Sequence, residues 1–139
     1  MNRLRALFCA LSLLVVASAA GASPVAIANP SLAREKFDAV KLKSVFLGKR
    51  VSWEVGGRVI VAVLREGPVA DAFLPRATGL STADFRSYWR RLAMTGAGIP
   101  PKSFSTVADL KAYVARTPGA IGFADAADAD GSVVSIPVP

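Results

Sequence analysis

The sequence predicts an α/β domain, a central sheet flanked by helices. Residues 59–64, Val59-Ile60-Val61-Ala62-Val63-Leu64, form an uninterrupted, mostly β-branched apolar run, as expected of a fully buried strand. Phe85, Tyr88, Trp89 and Leu92 recur at helical spacing and therefore share one buried helix face. Strand-like and helix-like segments alternate along the chain, which places helices on a sheet.

Taken in order, Arg3 and Arg5 precede an uncharged, largely apolar stretch over 6–20, and Ala20-Gly21-Ala22 offers a small-x-small cleavage site before Ser23. This pattern predicts a secretory signal peptide over 1–22, with an apolar run short for a membrane span. Cys9 lies early in that run, away from the position of a lipoprotein acceptor. Residues 23–139 then form one domain, and a periplasmic location is expected.

Val25-Ala26-Ile27-Ala28 reads as the first strand, ended by the turn residues Asn29-Pro30-Ser31. Arg34-Glu35-Lys36 suggests a solvated segment. Asp38 caps a helix expected over 39–47. Gly48 stands where a helix C-terminus favours a left-handed residue, and Lys49 and Arg50 follow at the negative end of the dipole. Trp53 fills the joint before the turn Gly56-Gly57 and the buried strand. Pro68 opens the next helix, Asp71 supports its first turn, and Pro75 is expected to end or bend it.

Ser81, with Asp84 three residues on, caps the following helix. Arg86, Arg90 and Arg91 fall on or beside the face opposite its apolar stripe and read as solvated. Residues 95–101 form a loop. Thr106 and Asp109 repeat the cap pattern before a helix faced by Val107, Leu110, Tyr113 and Val114, which Thr117-Pro118-Gly119 stops. Ala120-Ile121-Gly122-Phe123 is a short strand, 125–131 an acidic loop, and 133–138 an edge strand compatible with Pro137.

Composition narrows the function. The chain has 139 residues and a net charge of +7; beyond residue 22 there remain 117 residues with 15 basic and 10 acidic side chains, a net +5. That suffices for one modest core. A moderately basic exported domain suits anionic small molecules, wall polymers or lipid headgroups. Nucleic acid is excluded as a partner by export and by aromatics at core spacings. The chain has no His, and its one Cys is Cys9. A Cys–His dyad, a Ser–His–Asp triad and a histidine metal site are therefore ruled out after residue 22. No enzyme activity, metal or cofactor is expected, and an unrecognised hydrolase ranks last among the readings. Asp125, Asp128, Asp130 and Gly131 lack the Glu that a calcium loop places at its twelfth position.

Anion binding fits better. An α/β sheet gathers loops at the carboxyl ends of its strands, where helix N-termini offer free N–H groups. Asn29 and Ser31 follow the first strand, Arg65 follows the buried strand, and Thr95 and Gly96 lie in the third loop. These five are the candidate ligand-binding residues. Arg65 leads because a guanidinium grips an oxyanion with two hydrogen bonds.

Two ordered motifs carry a resemblance. Val45-Phe46-Leu47-Gly48-Lys49, with Trp53 after it, resembles the Ile-Phe-Leu-Gly-Lys…Trp signature of the periplasmic phosphate-binding proteins of ABC importers. Tyr113-Val114 and Thr117-Pro118-Gly119-Ala120-Ile121-Gly122-Phe123 resemble that family's Tyr-Val…Thr-Pro-Gly-Ser-Ile-Gly-Tyr segment. The likeness spans roughly 25–124. It implies a single lobe of a periplasmic-binding-protein-like (type II) fold, similar to the short members of that superfamily.

The resemblance further implies that Arg65 matches the arginine ending the corresponding strand. The family's following Asp and Ser-Gly-Thr turn are replaced here by Glu66-Gly67-Pro68-Val69-Ala70. The partners it implies are a small anion, phosphate or similar, and a membrane transporter. A membrane sensor belongs to the competing reading, an interaction module that has lost its ligand. A second copy of the chain is a further candidate partner, since one lobe alone cannot close over a ligand.

Overall fold

The computed structural model describes residues 23–139. The leader read over 1–22 lies outside the described residues. Five strands are present: β1 (Pro24–Ala28), β2 (Ile60–Leu64), β3 (Lys102–Phe104), β4 (Ala120–Asp125) and β5 (Val134–Pro137). Four helices accompany them: α1 (Ala39–Phe46), α2 (Pro68–Thr78), α3 (Thr82–Met94) and α4 (Val107–Arg116). Short 3₁₀ turns occupy Pro30–Leu32 and Ala126–Asp128.

The strands form one sheet in the order β3-β2-β4-β1-β5. β2 runs parallel to β3 and to β4, with Val61 opposite Ile121. β1 runs antiparallel to both its neighbours, β4 and β5. The carboxyl ends of β2, β3, β4 and β5 therefore gather at one end of the sheet, and that of β1 lies at the other. β3 escaped the sequence reading because three residues behind two prolines are too short to show periodicity. It forms a largely exposed edge, held by pairing with β2.

Successive strand residues point to opposite faces, and β4 shows what covers each. Phe123 stacks on Phe73 of α2 with ring centroids 4.4 Å apart, and Phe46 of α1 meets Phe73 edge-on at 5.1 Å. On the other face α4 comes so near that a Cβ at Gly122 would lie 2.7 Å from the Leu110 Cδ2 atom. Helices thus cover both faces, with α1 and α2 on one and α4 on the other.

The helix caps follow the sequence. Asp38, Ser81 and Thr106 each accept a hydrogen bond from the backbone N–H three residues on. Gly48 ends α1 at φ +73°, and the N–H groups of Gly48 and Lys49 donate to Val45 and Ser44, the paired closure of a Schellman motif. A side chain at Gly48 would meet the Trp89 ring at 2.4 Å. Trp89 and Tyr88 of α3 donate to the Phe46 and Leu47 carbonyls at 3.2 and 2.6 Å. These bonds serve the otherwise unpaired end of α1 and lock α3 across it.

Two expectations are revised. Of the two outcomes expected at Pro75, an end or a bend, the end does not occur: α2 continues through Pro75 to Thr78. Pro75 and Asp71 are exposed, so the Asp71 carbonyl that loses its helical donor can be served by water. Glu35 is buried, not solvated. It accepts from Lys41 Nζ at 2.8 Å and from the Val55 N–H at 3.1 Å, tying α1 to the loop that follows Trp53.

Candidate functional site

β2 ends at Leu64, and Arg65 leaves the sheet at the end where the parallel strands finish. Gly67 then caps α2 without a side-chain bond, and Pro68 begins the helix. The first-turn N–H groups of α2 have no helical acceptor, so its positive end faces the Arg65 loop. α3 starts alongside, since the Thr82 hydroxyl donates to the Asp71 carboxylate at 2.5 Å.

A cleft of about 480 Å³ opens here. Arg65, Thr82, Arg86 and Arg90 contribute its polar wall, and Glu66 and Ser103 also border it. Arg86 is held in place by donating to the Arg65 carbonyl oxygen at 2.7 Å. Among the described residues, none of the three arginines takes part in an ion pair. Three guanidinium groups against one carboxylate leave the cleft with excess positive charge. Phe85, Trp89, Pro100 and Pro101 supply its apolar wall.

Arg86 and Arg90 belong to a row that the sequence already contains. Thr82, Arg86 and Arg90 stand four residues apart, which aligns them along one side of α3. Both are exposed, as the sequence reading expected, and they lie beside the apolar stripe rather than opposite it. One residue along a helix is a rotation of about 100°, enough to flank the apolar stripe and border the same cleft.

The other candidates lie elsewhere. Because β1 runs against β4, Asn29 and Ser31 sit at the opposite end of the sheet from Arg65. The Asn29 N–H donates to Ala120 O at 2.9 Å. The Asn29 amide donates to Val114 O at 2.9 Å and Ala115 O at 3.0 Å, and its oxygen accepts from the Ser31 N–H. Ser31 Oγ accepts from Gly119 N–H at 3.1 Å. These groups fasten the end of α4 to the start of β4. Thr95 and Gly96 end α3, nine residues beyond Arg86 or about 14 Å along its axis. The Thr95 hydroxyl lies 3.2 Å from both the Arg91 and Leu92 carbonyls and donates to the helix end, where exposed carbonyls disfavour an anion.

No protein-family model and no curated protein matches the chain. Solved structures do. An ABC-type phosphate transport receptor from Vibrio cholerae superposes with a TM-score of 0.55 at 14% identity, covering 83% of this chain and 45% of the receptor. A protein from Clostridium perfringens, assigned as a phosphate ABC transporter substrate-binding protein and solved with phosphate bound, gives 0.62 at 19% identity, covering 83% and 44%. The fold is a single lobe of the periplasmic-binding-protein-like class, and the chain spans less than half the length of either structure. Both neighbours are binding proteins.

Among the described residues, no helix is long and apolar enough to cross a membrane. No group of three or more His, Cys, Asp or Glu there is placed to hold a metal. Asp130 is engaged by Lys111 Nζ at 2.8 Å.

Proposed function

We propose that this chain is an exported solute-binding-like domain that recognises a small anion in the cleft at the end of β2. The observation that carries this reading is the convergence of Arg65, Arg86 and Arg90, outside any ion pair, beside the N-terminus of α2. Like charges held together repel, and a bound oxyanion relieves that repulsion while accepting charge-assisted hydrogen bonds. Phosphate is the first anion to try, because both fold neighbours carry that ligand in their names. Delivery to a membrane transporter follows from the same likeness.

The cleft is open to water, where each charge pair gains on the order of 1 kcal/mol at contact. The hydroxyl-rich turn implied by resemblance is absent at Glu66-Gly67-Pro68. A dissociation constant of roughly millimolar, about −4 kcal/mol, is expected for phosphate or sulfate. Titration calorimetry on the purified chain measures it. Arg65→Ala should weaken both anions at least several-fold. Binding unchanged in Arg65→Ala would remove the site from this cleft. No anion binding at all, with capture of a membrane sensor, would favour the interaction-module reading.

A further inference from the structure

The cleft is far larger than the ion just considered. An inorganic phosphate displaces roughly the volume of three waters, about 30 Å³ each. The cleft offers about 480 Å³, within the range typical of sites that enclose whole organic ligands. Its walls are also unequal. The guanidinium groups come from the end of β2 and one side of α3, whereas Phe85, Trp89, Pro100 and Pro101 present carbon.

Phe85 and Trp89 are 5% and 7% exposed and meet edge to face at 6.5 Å. The Trp89 indole N–H is already spent on the Phe46 carbonyl, so the ring offers the cleft no hydrogen bond. The adjacent prolines have fixed φ angles and lose little freedom when covered. A bare oxyanion would leave the exposed Pro100 and half-buried Pro101 of the rim, and the small part of Phe85 and Trp89 that borders the cleft, in water. A ligand with an anionic head and a flat apolar body would satisfy the arginines and cover the wall together.

Resting on the anion-binding reading above, we propose that the cleft takes an organic phosphate or sulfate monoester with a flat apolar body, in preference to the inorganic ion. The head lies among Arg65, Arg86 and Arg90. The body lies along the Pro100–Pro101 rim, against the parts of Phe85 and Trp89 that border the cleft.

Calorimetry with inorganic phosphate, phenyl phosphate and phenol tests the assignment on the intact chain. Phenyl phosphate should bind at least tenfold more tightly than phosphate, and phenol more weakly than phenyl phosphate. Arg65→Ala should weaken both phosphates. Pro100→Ser, at an exposed position, should cut the advantage of phenyl phosphate at least threefold and leave inorganic phosphate unchanged. Equal affinities for the two phosphates, both reduced by Arg65→Ala, would overturn this inference and leave the anion reading standing. Tight phenyl phosphate binding indifferent to Arg65→Ala would overturn the placement of the head. Absence of binding by either phosphate would remove both readings.

Discussion

The indole N–H of Trp53 donates to the carbonyl oxygen of Gly119 at 2.9 Å, joining residues 66 apart in the chain. Trp53 is 4% exposed and its ring meets Phe37 edge-on at 5.7 Å. The same Gly119 oxygen also accepts from the Ile60 N–H at 3.1 Å. The two sequence motifs at either end of the domain are thus bonded to each other where β2 and β4 begin.

Two substitutions separate the ring from its hydrogen bond. Trp53→Ala should destabilise the domain by roughly 3–5 kcal/mol, as large aromatic truncations in cores do. Trp53→Phe keeps most of the apolar volume and leaves Gly119 one donor, so about 1 kcal/mol should be lost beyond any packing change. Urea unfolding of the two variants measures both. A near-native Trp53→Ala would mean that the indole does not close the joint.

Asn29 and Arg65 should separate stability from binding. Asn29→Ala removes two bonds to the end of α4 and one to Ser31, worth about 2–3 kcal/mol together at about 1 kcal/mol each. Phosphate affinity of the variant, measured under conditions where circular dichroism shows it folded, should be unchanged. Arg65 is exposed, so Arg65→Ala should show the reverse pattern, weaker binding with a melting temperature near that of the parent. A loss of anion affinity in Asn29→Ala exceeding that in Arg65→Ala would transfer the site to the other end of the sheet.

Glu35 sets an acid limit. Burial alone pushes its carboxyl up, but the Lys41 hydrogen bond and the N–H groups of Val55 and Glu54 outweigh it and hold the group below its ordinary 4.5. The unfolded chain therefore binds this proton more readily than the folded one. The contribution is fully present above pH 4.5 and is lost as pH falls through the depressed folded value. Lys41 is shifted the other way: burial lowers it, its carboxylate partners prevail, and it lies above its ordinary 10.5, so its share is lost only as pH rises beyond that. Melting temperatures between pH 7 and pH 2 should fall less steeply below pH 4.5 in Glu35→Gln than in the parent. Parallel curves would show that the pair does not govern acid stability.

The sequence by itself determined most of the elements and several of their ends, but missed β3 and the continuation of α2 to Thr78. An unbroken, mostly β-branched run located β2, and helical periodicity located the apolar faces of α3 and α4. Asp38, Ser81 and Thr106 marked three helix starts, and Gly48 marked a stop. Each of these signals is local: a cap, a left-handed residue or a repeat acts within one or two turns of chain. The two motifs that carried the resemblance led to the same fold that part of each solved neighbour displays.

Only the tertiary structure decided which loops share an end of the sheet. β1 pairs antiparallel with β4 through bonds between residues nearly a hundred positions apart, and nothing within its five residues encodes that direction. Reversing one strand separates Asn29 and Ser31 from Arg65. The same holds for Glu35, whose solvated neighbours Arg34 and Lys36 conceal a pocket built by α1 and the loop after Trp53. It holds also for Arg86 and Arg90, which border the cleft because α3 is anchored over the end of α1 by Tyr88 and Trp89. Local chemistry chose the helices and strands, whereas long-range pairing and packing chose what faces what.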